Sequence, residues 1–312
     1  MCDILEQGYF GNELTDIERK TSNDFSKERL LAGTPHKQIV VNEKGTQITK
    51  RYFLPTSREC MIVNQKAFLN ELRILKEIDC HPNIISLLNV YISYYEEKVC
   101  LNLVLPKLDI DLFDVVLLSN QISFEEQDLY LSGIMNGLKH LHSIDIAHRD
   151  IGLENIVVER NSSGIPVSAK IIDLELAIKS DEEINYLVQV GKHPYITPEQ
   201  VLRKYYDPFK VDVWAFGIIV FATTFYNIPF SKSCLNDPNY NFYRRNLLRN
   251  EILKKKYSID IPVSKKLSSK WNEVFLFIRY ILEPEMENRP TIEETILFYN
   301  QRVRSLSTNK IL

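Results

Sequence analysis

His148-Arg149-Asp150-Ile151-Gly152-Leu153-Glu154-Asn155 sets a carboxylate and an amide on one short polar stretch between two apolar runs. Upstream, Leu131, Ile134, Met135, Leu138 and Leu141 recur at helical spacing, and Ser123 with Glu126 forms a capping-box pattern at the start of that helix. Downstream, two short β runs between Ile156 and Ile172 flank Asn161-Ser162-Ser163-Gly164, a turn composition. The octet is therefore a tight loop between a helix and a strand. Phosphoryl transfer requires a carboxylate that accepts or orients a hydroxyl proton and an oxygen ligand for a metal. Asp150 and Asn155 offer both.

Working outward, the first third of the chain reads as strands. Gln38 opens a β-like run, Glu43-Lys44-Gly45 forms a turn, and Thr46–Phe53 returns as the second arm of a hairpin. Phe68, Leu69, Leu72, Ile74 and Leu75 then mark a helix, which His81-Pro82-Asn83 ends. Two further strands follow, up to Pro106. Beyond Pro106 the chain is helix-rich, closing on a second capping box at Thr291 and Glu294. Strands first and helices after, with little linker between, imply an α+β protein of two lobes forming one catalytic domain, with a ligand crevice between them.

Bulk properties narrow the function classes. A net charge of −3 over 312 residues argues against a nucleic-acid reader. The basic run Lys254-Lys255-Lys256 reads as a solvated helix face. Five cysteines without metal-ligand spacing fit a reducing compartment. The N-terminal residues lack the apolar core of a signal peptide. The longest apolar stretch, Val213–Ala222, is shorter than the ~20 residues of a bilayer span and reads as a buried helix. The expectation is an intracellular protein, cytoplasmic and/or nuclear, with no membrane or nucleic-acid partner and an oligomeric state left open.

The octet matches the H-R-D-x-x-x-x-N catalytic loop of protein kinases, and other signatures follow in that family's order. Asp173-Leu174-Glu175 stands where D-F-G is found. Gly191-Lys192-His193-Pro194-Tyr195-Ile196-Thr197-Pro198-Glu199 is similar to the end of a kinase activation segment. Asp212, Trp214 and Gly217 resemble its D-x-W-x-x-G, and Arg289 the arginine that pairs with Glu199. The chain thus resembles a divergent eukaryotic protein kinase of the Ser/Thr type. The resemblance implies a bilobal fold: a small β-rich N-lobe with one helix over 29–105 and a larger helical C-lobe over 106–312. Residues 29–300 would form one kinase domain, preceded by a polar tail over 1–28. It implies ATP and Mg²⁺ (or Mn²⁺) as cofactors and a protein as substrate. Asp150 would be the catalytic carboxylate, and Asn155 and Asp173 the metal ligands. Lys50, paired with Glu71, would hold the phosphates. Gly33, Ile48, Val104, Leu105, Lys107 and Val157 would surround the nucleotide, with adenine bonded to the Leu105 carbonyl and the Lys107 N–H.

Simpler roles stand beside these: Lys50 and Glu71 as solvated charges, His148 as a structural core histidine, Asp212 as a helix N-cap. Departures from the family pattern are equally specific. The phosphate loop, Leu31-Ala32-Gly33-Thr34-Pro35-His36, keeps only the middle glycine, and Pro35 lacks a backbone donor. Glu175 replaces the D-F-G glycine, and Ile48 replaces an alanine expected on adenine. Gly152 replaces the catalytic-loop lysine, whereas Lys192 replaces a threonine on the facing loop. That pair reads as one exchange, with Lys192 as a catalytic cation whose stem uses the space at Gly152. Glu182 or Glu183 is expected to pair with Arg149. The function implied is ATP-dependent phosphorylation of Ser/Thr in proteins. The alternatives are a catalytically impaired pseudokinase acting as a binding or scaffold module and, less in keeping with Thr197–Glu199, a small-molecule phosphotransferase.

Overall fold

Successive side chains of a strand point to opposite faces, and β4 (Gln47–Leu54) is buried along both faces from Thr49 onward. In this computed structural model, which describes residues 18–19, 28–54, 58–95, 98–118, 122–247, 256 and 269–305, the chain forms two units. One comprises 1–79 with 85–107, the other 80–84 with 108–312. The fold class is α+β, with a strand-rich first unit and a helical second unit.

The first unit is a six-stranded sheet in the order β1-β5-β6-β4-β3-β2. Besides β4, its strands are β1 (Glu18–Arg19), β2 (Arg29–Gly33), β3 (Lys37–Val41), β5 (Asn89–Tyr95) and β6 (Lys98–Pro106). The expected β3–β4 hairpin closes through Asn42, whose Oδ1 accepts the Thr46 and Gln47 amides at 2.9 and 3.2 Å. Gly45 supplies the positive φ, 70°, that this turn requires. Helix α1 (Arg58–Glu77) sets Phe68 edge-on to Tyr52 of β4. On the opposite face of β4, Arg51 is 2% exposed and donates to Asn102 Oδ1 at 3.0 Å and to Glu28 Oε2 at 2.7 Å.

The tail over 1–28 lies outside the described residues except at Glu18–Arg19 and Glu28. There it is tied down: β1 pairs in parallel with β5, and Glu28 neutralises a cation that could not stay buried alone. Lys254 and Lys255 also lie outside the described residues.

In the second unit, β7 (Ile110–Asp111) and α2 (Leu112–Leu118) come first, and the capping box at Ser123 and Glu126 opens α3 (Phe124–Ser143), which buries Leu131, Ile134, Met135, Leu138 and Leu141 and leads into β8 (Ile146–Ala147). This helix lies on the hairpin of β9 (Ile156–Arg160) and β10 (Pro166–Ile171). The approach is close. A Cβ on Gly133 would meet the Ala169 carbonyl at 2.8 Å, and one on Gly137 would meet Ile171 Cδ1 at 2.8 Å. Asn83 joins the 80–84 segment to this unit, donating to the Ala169 carbonyl and accepting the Ile171 amide, each at 2.9 Å.

Helix α4 (Pro198–Val201) starts on a capping box of Thr197 and Gln200. Helix α5 (Pro208–Phe225) is long and apolar enough to cross a membrane by composition, but 83% of it is buried within the protein. It is a core helix. Its N-cap is Asp207, whereas Asp212 lies within the helix, so the N-cap role considered for Asp212 does not hold. A Cβ on Gly217 of this helix would meet Leu282 Cδ2 at 2.7 Å. Helices α6 (Pro238–Arg245), α7 (Ser269–Ile281) and α8 (Ile292–Phe298) follow, and a π-helical stretch over Tyr299–Arg304 ends the described part of the unit.

Candidate active site

In the first unit, strand alternation points Lys50 and Tyr52 to the face that α1 covers. Lys50 Nζ stands 2.6 Å from Glu71 Oε1, and the Tyr52 hydroxyl donates to Glu71 Oε2 at 2.7 Å. Lys50 is 5% exposed and Glu71 fully buried, so neither is a solvated charge. Tyr52 was not singled out in the sequence, although period-two spacing from Lys50 places it on the same face.

The ladder pairs Ile48 with Leu105 and Thr49 with Val104. The Lys107 N–H donates to the Thr46 carbonyl at 2.9 Å. That donor belongs to the sheet, which corrects the expectation that it serves adenine. In the phosphate loop, Gly33 ends β2 opposite Gln38. Thr34 ties the turn to itself. Its N–H donates to the Lys37 carbonyl at 2.7 Å, and its Oγ1 accepts the His36 and Lys37 amides at 3.3 and 3.1 Å.

In the second unit, Asp212 organises the approach to the catalytic loop from within α5. Its carboxylate accepts the His148 and Arg149 amides, both at 2.8 Å, and stands 3.0 Å from His142 Nε2. These bonds hold Arg149 in left-handed backbone, φ 63°, which an L-residue adopts at a cost. His148 is fully buried. Its Nδ1 accepts the Asp150 amide at 3.2 Å and its Nε2 donates to the Ile172 carbonyl at 3.0 Å. Histidine here is a structural link between two segments.

The Asn155 amide nitrogen donates to the Asp150 carbonyl at 2.7 Å and to Asp150 Oδ2 at 2.8 Å. Lys192 Nζ lies 3.3 Å from that same oxygen. With its nitrogen committed, Asn155 has its amide oxygen left for another role. The Ile172 N–H donates to the Asn155 carbonyl at 2.9 Å, which fixes the residue before Asp173 beside the loop. Asp173 is left-handed, φ 65°, at the entry to a single 3-10 turn, Leu174–Leu176. Glu175 sits inside that turn, where no positive φ is required. An amide oxygen and a carboxylate are hard oxygen donors, the kind Mg²⁺ takes, so Asn155 and Asp173 fit that ion. Val157 lies in β9 between Asp111 and Lys170.

Two expectations on this face are corrected. Arg149 Nε donates to the Leu176 carbonyl at 2.8 Å, and Glu182 accepts the Lys179 amide at 3.3 Å, instead of the two pairing. The space at Gly152 does not serve the Lys192 stem. A Cβ there would meet Tyr195 Cε2 and Glu154 Oε2, each at 2.9 Å. The Tyr195 hydroxyl accepts the Leu153 amide at 3.1 Å and lies 3.4 Å from Glu154 Oε2. Burial pushes this phenol well above its ordinary pKa, with the Leu153 bond opposing, so it remains a neutral donor. Nothing local in the sequence announces this contact.

A family model described as "Protein kinase domain" matches residues 40–297. The chain is 29% identical to the CaM kinase-like vesicle-associated protein of Homo sapiens over 232 residues, 74% of this chain and 44% of that protein. It is 34% identical to the Nitrogen permease reactivator protein of Saccharomyces cerevisiae over 168 residues, 52% of this chain and 20% of that one. Sperm motility kinase 2A of Mus musculus is 27% identical over 234 residues, 74% and 41% of the two chains. The matched part of each relative is less than half of its length.

Proposed function

The chain belongs to the protein kinase family, and from that membership we propose that it transfers the terminal phosphoryl group of ATP to serine or threonine hydroxyls of proteins. The observation that carries this reading is the carboxylate of Asp150, 8% exposed and held by the Asn155 amide at 2.8 Å. A carboxylate fixed in this way orients a substrate hydroxyl and takes up its proton. Asn155 and Asp173 would hold Mg²⁺, which when bound supplies positive charge against the phosphates. Lys50, paired with Glu71 at 2.6 Å, is by the family resemblance the cation for the phosphates. Ser/Thr acceptors are favoured by His193-Pro194-Tyr195, which resembles the Ser/Thr form of the substrate loop.

The test is transfer of labelled phosphate from ATP to a generic basic protein with Mg²⁺ or Mn²⁺, followed by identification of the modified residues. Phosphoserine and phosphothreonine are expected, and Asp173→Ala should abolish them. No transfer above the Asp173→Ala background with either metal would defeat the reading.

One observation favours a second reading, a module that binds partners without turnover. Thr34 engages the His36 and Lys37 amides that an open phosphate loop would offer to a ligand, and Pro35 has none to offer. Nucleotide binding without phosphoryl transfer would be its signature.

A further inference from the structure

Phosphoryl transfer gathers negative charge on the oxygens of the moving group, and a cation beside them lowers the barrier. The catalytic loop itself has no cation at Gly152. The position is also closed, because Tyr195 and Glu154 occupy the volume a side chain would enter. The tyrosine is pinned there by the Leu153 amide. What the structure places at the carboxylate is Lys192, from the opposite loop.

Its geometry suits the task. Gly191, at φ 97°, passes so close to the Arg149 carbonyl that a Cβ would lie 3.1 Å from it, which brings the next residue over the catalytic loop. The Tyr195 amide donates to the Lys192 carbonyl at 2.9 Å, fixing the base of the side chain in a tight turn. The stem is free to swing: the Lys192 side chain is 51% exposed, whereas that of Asp150 is 9% exposed. Lys192 Nζ and the Asn155 amide both address Asp150 Oδ2, at 3.3 and 2.8 Å. Among the described residues no donor is recorded on Oδ1, which leaves that oxygen for an incoming hydroxyl.

We infer that Lys192 is a catalytic residue, the cation that contacts the transferred phosphoryl group. The inference rests on the kinase reading above. The hydroxyl oxygen at Asp150 forms a bond to the γ-phosphorus as the bond from that phosphorus to the β–γ bridging oxygen breaks. The proton passes to Asp150, and the electron pair leaves on ADP. Reacting atoms meet at about 3–3.5 Å, so a phosphoryl group in line with that hydroxyl comes within reach of a lysine already at ion-pair distance from the same carboxylate. A lysine on a flexible stem can shift from carboxylate to phosphoryl oxygen as charge develops.

Two measurements test this. In the first, Lys192→Met should lower kcat by about 10²–10³-fold, the size of losing one transition-state contact. KM for ATP and the melting temperature should stay near wild type, and Lys192→Arg should recover part of the loss. Adding Gly152→Lys to Lys192→Thr should fail to restore turnover, because Tyr195 bars the way. In the second, acylation of Lys192 by an amine-reactive reagent is followed by mass spectrometry. ADP with aluminium fluoride and Mg²⁺ should protect Lys192, whereas ADP alone should not. Wild-type kcat in Lys192→Met, or equal acylation with and without aluminium fluoride, overturns the role of Lys192 and leaves the kinase reading standing. Absence of turnover in the wild type overturns both.

Discussion

Arg289 and Glu199, ninety positions apart, meet in a buried fork, with guanidinium nitrogens 2.9 and 3.2 Å from the two carboxylate oxygens. The guanidinium also donates to the Glu283 and Lys210 carbonyls and lies 4.9 Å from the Trp214 ring centre. It thus joins the end of the Gly191–Glu199 segment to α5 and to the chain preceding α8. Removing one partner of such a pair leaves a buried charge and costs about 3–5 kcal/mol. Arg289→Met should lower stability by that amount in chemical denaturation. Arg289→Lys should rescue little, because lysine lacks the fork. A denaturation midpoint unchanged in Arg289→Met would show that the pair is dispensable.

Asp150→Asn keeps the shape of the side chain and removes its capacity to take a proton. Turnover should fall by about 10²–10⁴-fold, while the affinity for nucleotide, measured by calorimetry, stays close to wild type. A variant that turns over normally would remove Asp150 from the reaction.

The phosphate loop makes an opposite kind of prediction, a gain. In Thr34→Gly the His36 and Lys37 amides no longer have the Thr34 hydroxyl as acceptor, and the turn has one constraint fewer against a ligand. Each new hydrogen bond is worth about 1 kcal/mol, so the affinity for ATP should improve by about fivefold or more. Weaker binding would mean that the closed turn is itself the nucleotide-binding form.

Asp237 caps α6 and accepts from the Ser231 amide and hydroxyl and from the amides of Lys232, Asn239 and Tyr240. Burial pushes its carboxyl up, but these bonds outweigh burial and hold it below the ordinary value of 3.8. A depressed folded-state pKa contributes stability that is complete above 3.8 and lost as pH falls through the lower, folded value. Asp237→Asn should therefore be less stable than wild type at pH 7, by about 1–2 kcal/mol, because an amide nitrogen in place of Oδ2 cannot accept the Ser231 and Lys232 donors. The gap should narrow only below pH 3.8. A gap constant down to pH 2 would exclude this linkage.

Much of the fold was legible because its signals are local. Ser123 with Glu126, Thr291 with Glu294, and the turn at Glu43-Lys44-Gly45 each state their geometry within a few residues. Lys50 with Glu71 and Glu199 with Arg289 became legible only through family resemblance, since nothing local links residues so far apart. What escaped depends on register and on which donor is already engaged. Family position points the Lys107 amide at adenine, but hydrogen-bond register sets it against Thr46. Gly152 by itself implies a vacancy, and only the packing of Tyr195 fills it. Asp212 read equally well as a cap, because sequence does not say that Asp207 begins the helix.

The grip of Asp212 on the His148 and Arg149 amides also sets a timescale. Both amides sit outside regular helix or strand, where exchange with solvent deuterium is ordinarily fast, yet each donates to a carboxylate rooted in the core helix. Their release requires that helix to shift, an opening that belongs with the slow, sub-global events of a protein and not with loop fluctuation. The loop that bears Asp150 therefore keeps time with the interior of its unit, and its protons should be among the last to leave.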